Sequence, residues 1–468
     1  MRFSSYTIIS EPLPKGGYAL LNGLTGAVDL VSEDIAEIII DTINNSGQKT
    51  AFISTGLLPP ETMEAFKERG HITELSPDTE RSCLSEIASV LHEHEAKNPR
   101  FVIVPNMDCN YRCTYCFEQS LQKSLDRYQK SVMDFDQIGK VYNSIKGIQE
   151  RTGSKGGEII LYGGEPLDAK NMDIVNGIIN HKDAKDFKFF AVTNGHDLDK
   201  FIFILGHDKL GMIQVSIDGP KQIHDKRRIS RQGDSSFDKI VSNIRKVTSQ
   251  TDAKINLRVH LDSTNLDSFE ELLDTFVREG WVNHERILIY LSIVYRKNDQ
   301  GAVQPVLDIV PIIKRLEHVT AQYSNIFIGA SQTNADSLLT NSLDMGKPYR
   351  LRTAYCSANS GMYVFLPDGY VYSCWESIGK ECSKIGHYMT DEGLVLDKKA
   401  CDKWTRRSVA SIPECLDCPY CLVCAGGCSQ YAEYNSGSVM RPFCDNFQQT
   451  YPGVLARSVE HFLVRNNL

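Results

Sequence analysis

Between residues 100 and 300 short apolar runs alternate with amphipathic stretches. The runs are Phe101–Val104, Glu158–Tyr162, Phe187–Thr193, Met212–Ile217, Ile255–Leu261 and Ile287–Val294. Between them, Phe237–Val247 and Ser268–Arg278 repeat apolar residues at helical spacing. Six such alternations predict an α/β fold: a parallel sheet with crossover helices, open or curled into a partial (β/α)6 TIM-like barrel over 96–300. Chemistry in such sheets sits at the C-terminal ends of the strands. Upstream, Tyr6–Ser10, Tyr18–Leu21 and Ala27–Val31 read as three strands separated by Pro, Gly and Asn turns. Ser32 is placed to cap a helix running to about Asp41, and a second helix starts after Pro59-Pro60 over Glu61–Arg69. Residues 1–95 therefore form a small α+β module. Residues 301–350 read as a helical and looped connector. Periodicity fades over 351–450, and a closing helix is expected over 451–468.

Composition narrows the class. A chain of 468 residues, 41% apolar and 24% charged, has ample core for several soluble domains. The net charge of −8 argues against a general nucleic-acid or acidic-membrane binder. No run of 18 apolar residues occurs and the N-terminus lacks an apolar signal core, so a cytoplasmic protein is expected. Against that setting the 14 cysteines stand out. A reducing cytosol rarely keeps structural disulfides, so clustered cysteines there read as metal ligands. Cys83 stands alone, three cysteines fall at 109–116, and ten crowd into 356–444.

The first cluster reads Cys109-Asn110-Tyr111-Arg112-Cys113-Thr114-Tyr115-Cys116. Three thiolates on one loop can hold three corners of a 4Fe–4S cube and leave one iron open. A zinc knuckle with a distant fourth ligand, or plain buried thiols, are the alternatives on spacing alone. The C-x3-C-x2-C spacing directly after the first strand of a β/α array resembles the radical S-adenosylmethionine (SAM) superfamily, over roughly residues 98–300. In that family the open iron chelates SAM, and an electron from the cluster cleaves it to a 5′-deoxyadenosyl radical. The next strand ends in Gly163-Gly164-Glu165-Pro166, where glycines permit close backbone approach and a carboxylate is available to an ammonium group. The resemblance identifies this turn as the motif for the SAM amino group. It likewise implies that Thr193, Asn194 and Ser216, at the ends of the next two strands, contact the ribose and carboxylate. Tyr115 and Arg228 join the SAM-binding set, with Arg258 a further candidate.

The second cluster follows a long pattern: Cys356, Gly369 and Cys374, then Cys415-x2-Cys418-x5-Cys424-x3-Cys428, and finally Cys444. A zinc ribbon accounts for Cys415, Cys418, Cys424 and Cys428 but leaves the other three unexplained. The whole set resembles the SPASM extension of peptide-modifying radical SAM enzymes. That resemblance implies two auxiliary 4Fe–4S clusters, one on Cys356, Cys374 and Cys428, the other on Cys415, Cys418, Cys424 and Cys444. Some relatives have a further cysteine just upstream of the position of Cys356; here 349–355 contains none. The first auxiliary cluster then keeps an open iron, or Cys382 or Cys421 fills it. Cys401 and Cys83 read as ordinary packed thiols.

The N-terminal module is similar in layout to the winged-helix element by which peptide maturases bind a leader peptide as an added strand; a packing or dimerisation domain is the other reading. The resemblances together imply three 4Fe–4S clusters, SAM, an electron donor such as flavodoxin or ferredoxin, and a ribosomally made precursor peptide as substrate. The expected reaction is hydrogen abstraction from that peptide and formation of a thioether or carbon–carbon crosslink. Anaerobic sulfatase maturation, which makes formylglycine, is the runner-up. Those relatives carry an Asp directly after the cysteine equivalent to Cys374, where this chain has Trp375 and then Glu376. A non-catalytic iron–sulfur electron carrier is the alternative of another class, and it would need no open iron.

Overall fold

The computed structural model describes residues 1–47, 51–54, 56–116, 118, 132–298, 301–320, 322–328 and 330–468. These fall into two compact units, Glu95–Gly329 with Ser357–Thr405, and Met1–His94 with Ala330–Cys356 and Arg406–Leu468.

The first unit is organised by strands β1 (Arg100–Asn106), β2 (Gly157–Gly163), β3 (Phe187–Thr193), β4 (Leu210–Ser216), β5 (Lys254–Leu261) and β6 (Ile287–Ile293). All five pairings among them are parallel. Val102 and Ile103, on opposite faces of β1, are both buried. Burial on two faces is why such strands read as unbroken apolar runs rather than as alternations.

The sheet continues past both predicted edges. A short strand β7 (Ile326–Ile328) joins β6, and β8 (Met362–Phe365) joins β1, both in parallel. From β8 an antiparallel meander runs through β9 (Tyr370–Tyr372), β10 (Lys384–Thr390) and β11 (Gly393–Leu396). The order across the sheet is β7-β6-β5-β4-β3-β2-β1-β8-β9-β10-β11.

Crossover helices form where the amphipathic pattern is strong. Phe135–Thr152 opens on a capping box between Asp134 and Gln137 and closes on Gly153 at φ 69°, a left-handed stop that glycine adopts without strain. Ser236–Gln250 and Phe269–Arg278 follow β4 and β5. The connection from β3 to β4 departs from the expected alternation. It carries two single-turn 3-10 segments, Leu198–Lys200 and Ile202–Ile204, pinned by the buried Leu198, Phe201 and Ile204.

In the second unit the three N-terminal strands are Thr7–Ile9, Tyr18–Asn22 and Val28–Val31, followed by helices Glu33–Ser46 and Pro60–Arg69. Ser32 occupies the cap position but its side chain makes no capping bond; Glu33 and Asp34 favour the helix start by charge instead. A further helix, Pro77–Ala96, was not expected.

These residues have one small core of their own, with Phe3, Leu20, Ile39, Leu58, Phe66 and Ile72, and bury their other apolar side chains against later parts of the chain. Ile8, Leu13, Ala19 and Leu21 share one buried cluster with Val423, Phe447 and Tyr451. Tyr6, Leu84 and Ala88 share another with Val409, Ile412 and Cys415. The Tyr6 hydroxyl donates to the Leu416 carbonyl at 2.7 Å. Residues 351–450, expected as one cysteine-rich domain, are divided: 357–405 lie with the sheet because β8 adds to β1, and 406–450 lie with the N-terminal residues because they share apolar cores. The C-terminal helix, Phe447–Arg465, belongs to that same unit.

Candidate active site and cysteine cavity

The chemistry-bearing residues of the first unit gather at the C-terminal ends of the parallel strands. Cys109 follows β1 on a loop held by its own backbone and two arginines. Asn106 donates to the Asp108 carbonyl and accepts from its amide at 3.0 and 2.7 Å. Arg112 donates to the carbonyls of Cys109 and Tyr111 at 2.8 and 2.7 Å, and Arg231 pairs with Asp108 at 3.0 Å. Tyr111–Cys113 then forms a short antiparallel ladder with Arg228–Ser230.

The Cys109 sulfur accepts from the Tyr111 amide at 3.4 Å and from Asn194 Nδ2 at 3.8 Å. Donors aimed at sulfur favour the thiolate, the form that ligates iron. Burial first, then neighbouring carboxylates and thiols, push the Cys109 and Cys113 thiols up and Cys116 to about 12. Ligation there must therefore displace protons. Among the described residues no three His, Cys, Asp or Glu side chains gather around a single metal ion, whereas a cube spreads its thiolates over separate irons.

Gly163 and Gly164 serve this loop. A Cβ on Gly164 would stand 2.2 Å from the Asp108 carbonyl oxygen, and one on Gly163 2.6 Å from that of Asn106. The close approach is thus made by the cysteine loop itself.

Glu165 is 1% exposed. Its Oε1 accepts from the Leu167 amide at 2.9 Å and Thr193 Oγ1 at 2.5 Å, and its Oε2 from the Asn194 amide at 2.6 Å. Burial raises its carboxyl to about 7 against these donors. Oε1 is filled by two donors, whereas Oε2 has one donor and a second lone pair, so acceptor capacity remains there. Asn194 also reaches Asn110 at 2.6 Å, tying the end of β3 to the cysteine loop. Ser216, buried at the end of β4, is in register with Arg258 on β5.

Sequence reasoning missed the frame around Tyr115. Its hydroxyl donates to Asp218 and accepts from Arg228 Nη1, the latter at 2.5 Å. Arg228 also pairs with Asp218 at 3.7 Å. Burial would raise Asp218, but His260, Arg228 and His224 override it and hold the carboxyl well below its ordinary range. Burial lowers both His224 and His260 to about 4. His224 Nδ1 accepts from the Asp218 amide at 3.2 Å, so the ring is neutral with its proton on Nε2. Arg228 is therefore committed to Tyr115 and Asp218.

Two further residues went unnoticed in the sequence. Glu118 is 4% exposed, and burial followed by the nearby Glu376 and Glu165 raises it to about 8. Tyr162, just before the glycine turn, stacks on Trp375 with ring centroids 5.1 Å apart. The only signal for Glu118 was its place two residues past Cys116; Tyr162 gave none.

The second unit holds a separate cavity of about 70 Å³ lined by Cys415, Cys418, Cys421, Cys424 and Cys444, with Tyr420 and Gln448. Single-turn helices Pro413–Leu416 and Cys421–Cys424 present three of these thiols, Cys415, Cys421 and Cys424. Gln448 Nε2 donates to the Cys418 sulfur at 3.2 Å. Burial raises Cys415 and Cys424 to about 12 and Cys421 further still. Cys421 thus shares the cavity of the quartet Cys415, Cys418, Cys424 and Cys444. Cys356 and Cys428 lie in this unit; Cys374, Cys382 and Cys401 lie in the other. Cys401 is half-buried with its thiol toward the Ile385 carbonyl at 3.7 Å. Cys83 sits on helix Pro77–Ala96.

Residues 103–276 match the family model described as the Radical SAM superfamily. The protein carries a radical SAM domain. Such a domain implies a 4Fe–4S cluster and SAM, and the three thiols, the sulfur-directed donors and Glu165 fit that pair. The chain is 26% identical over 361 residues to the radical SAM cyclopropyl synthase TigE of Paramaledivibacter caminithermalis, spanning 72% of this chain and 69% of that protein. It is 22% identical over 358 residues to a cysteine-type anaerobic sulfatase-maturating enzyme of Clostridium novyi, spanning 74% and 91%. The solved structure of native anSMEcpe with bound AdoMet shares the fold with a TM-score of 0.56 at 18% identity, over 79% of this chain and 100% of that one. No described helix is long and apolar enough to cross a membrane.

Proposed function

We propose that this radical SAM enzyme is a peptide maturase. It would take a hydrogen atom from a residue of a ribosomally made precursor peptide and form a thioether or carbon–carbon crosslink. The observation that carries the reading is the convergence of Cys109, Cys113, Cys116 and Glu165 on the same end of one parallel sheet, bridged by Asn194. Bound through those three thiols, a 4Fe–4S cluster supplies the electron that cleaves SAM to methionine and a 5′-deoxyadenosyl radical.

The chain's own residues do the rest. The Gly163-Gly164-Glu165 turn offers a buried acceptor for the SAM ammonium. Thr193, Asn194 and Ser216 offer hydroxyl and amide groups to its ribose and carboxylate. Tyr115 is positioned by Arg228 and Asp218, so Arg228 acts through Tyr115. One peptide hydrogen ends in 5′-deoxyadenosine. The other would leave as a proton and an electron, and the auxiliary clusters implied by the cysteine pattern would supply its acceptor, with Cys415, Cys418, Cys424 and Cys444 as the set that shares one cavity. A flavodoxin or ferredoxin would deliver the initial electron.

Leader recognition falls to the three-stranded N-terminal sheet. Its strand Val28–Val31 is an edge, paired only with Tyr18–Asn22 among the described residues, and its Leu30 is 53% exposed. An open edge accepts an added strand.

Anaerobic reconstitution tests the cofactor assignment: roughly twelve irons per chain are expected, and roughly four would remove the auxiliary clusters. Mass spectrometry of a co-expressed precursor peptide tests the reaction, with loss of two hydrogens per event expected. A second reading, sulfatase maturation, gains support from Glu376. This buried carboxyl, raised by its burial, stands two residues past Cys374 and is available as a base. Conversion of a sulfatase-derived cysteine peptide to an aldehyde would establish that reading instead.

A further inference from the structure

Arg407 is 0% exposed. Its guanidinium is held by backbone alone: Nε donates to the Val439 carbonyl at 2.5 Å, and Nη2 to those of Gly426 and Arg441 at 2.8 and 3.2 Å. The remaining nitrogen, Nη1, is buried with no hydrogen-bond partner among the described residues. Gly426, at φ 75°, lines the cysteine cavity and packs against the group: a Cβ there would stand in ordinary contact, 3.4 Å from Nη2 and 3.7 Å from Nη1.

A buried cation without a counter-charge is costly, and a lone buried N–H adds to the cost. Burial lowers Arg407 from its ordinary value, and the groups opposing that most strongly are four thiols, Cys415, Cys428, Cys356 and Cys424. All four lie in the same unit as Arg407. Two of them, Cys415 and Cys424, line the cysteine cavity. As neutral thiols they offer the cation no compensation; as iron-bound thiolates they do.

We infer that Arg407 is the counter-cation of the auxiliary iron–sulfur cluster held by Cys415, Cys418, Cys424 and Cys444, giving its unpartnered Nη1 hydrogen to the cluster's sulfur and raising its reduction potential. Hydrogen bonds and charge near cluster sulfur are what set such potentials. The inference rests on the auxiliary-cluster part of the proposed function and concerns positioning of charge, not a bond-making step. A higher potential makes that cluster a better acceptor for the electron left on the substrate.

The test uses reconstituted holoenzyme and EPR-monitored redox titration. Arg407→Gln keeps a polar side chain and removes the charge. Its cluster on Cys415, Cys418, Cys424 and Cys444 should lose at least tenfold in the equilibrium constant for one-electron reduction, a downward shift of about 59 mV or more. The signal of the cluster on Cys109, Cys113 and Cys116 should stay in place. Arg407→Lys should recover part of the shift. An unchanged potential of that auxiliary cluster in Arg407→Gln overturns the inference.

A measurement on the unmutated holoenzyme stands beside it in case the variants load poorly. With arginine labelled with nitrogen-15, the same auxiliary cluster, once reduced, should carry a nitrogen coupling in pulsed EPR. That coupling should vanish in Arg407→Lys, which separates it from Arg352, another arginine acting on Cys424. No coupling in the unmutated protein overturns the inference equally. Failure of the underlying reading looks different: the unmutated protein would hold only about four irons and show no auxiliary signal to titrate.

Discussion

The strand-end site and the cysteine cavity both gather thiols, but they are built by opposite means. Around Cys109 the charged groups are tied to one another by the chain: Glu165 accepts three hydrogen bonds, and Asp218, Tyr115, Arg228 and His260 close on one another. Its supports are seven- and eight-residue strands in a continuous sheet. Around Cys415 the supports are two four-residue helices and a turn with three consecutive positive-φ residues, Ala425, Gly426 and Gly427. One of the charges there, Arg407, faces thiols rather than a carboxylate. The first site is formed by the chain alone; on the proposed function the second would draw its order from a cluster on its thiols.

Four experiments press on that contrast. Replacing Cys109, Cys113 and Cys116 together by Ala should abolish formation of 5′-deoxyadenosine, measured by chromatography, while the thermal midpoint moves little. Collapse of the sheet in that variant would refute the idea of a preformed site. Removing iron from the holoenzyme with a chelator should expose 406–446 to limited proteolysis first and 95–329 last; the reverse order would invert the comparison.

Within the second unit, the pair Arg2–Glu80 supplies order independent of metal. Both side chains are 2% exposed at 2.7 Å, and Glu80 also accepts from Ser4 and the Ser5 amide. Glu80→Ala should cost about 3–5 kcal/mol in denaturant unfolding, the usual penalty for stranding one member of a buried pair. A loss below about 1 kcal/mol, the range of exposed pairs, would show the pair is not sealed from water.

The smallest effect is acid-linked. His224, held neutral at about 4 against an ordinary 6.5, binds fewer protons folded than unfolded. Its contribution is fully present above pH 6.5 and is lost as pH falls toward 4, by at most about 3 kcal/mol at 1.36 kcal/mol per unit. Denaturation midpoints across that window in the unmutated chain and His224→Asn should converge at low pH; parallel curves would disprove the assignment.

Much of the first unit was legible because two-sided burial writes parallel strands as plain apolar runs, and all six were found within about two residues. Spacing picked out the cysteine loop, and the family resemblance the Gly163-Gly164-Glu165 turn, which the structure places beside each other at the ends of β1 and β2. Helix Pro77–Ala96 was not, since its buried stripe is only Glu80, Leu84 and Ala88, and one of those is charged. Arg2 and Glu80 read as surface residues until each is seen to neutralise the other. The Asp218–Tyr115–Arg228–His260 closure joins residues about 145 positions apart, and no local pattern encodes such a meeting. The common core of residues 1–94 and 406–468 was hidden for the same reason.

That shared core has a consequence for how the protein is made. The N-terminal strands leave the ribosome first, yet much of what buries Ile8, Leu21 and Tyr6 lies beyond 406. At about 5–20 residues per second, roughly 300 intervening residues take on the order of 15 to 60 seconds to synthesise. Through that interval the apolar faces of residues 1–94 wait without their partners, exposed to chaperones and to one another. Growth at low temperature or with added chaperone should therefore raise the soluble yield, and the proposed cluster of the cysteine cavity could form only after translation has passed Cys444.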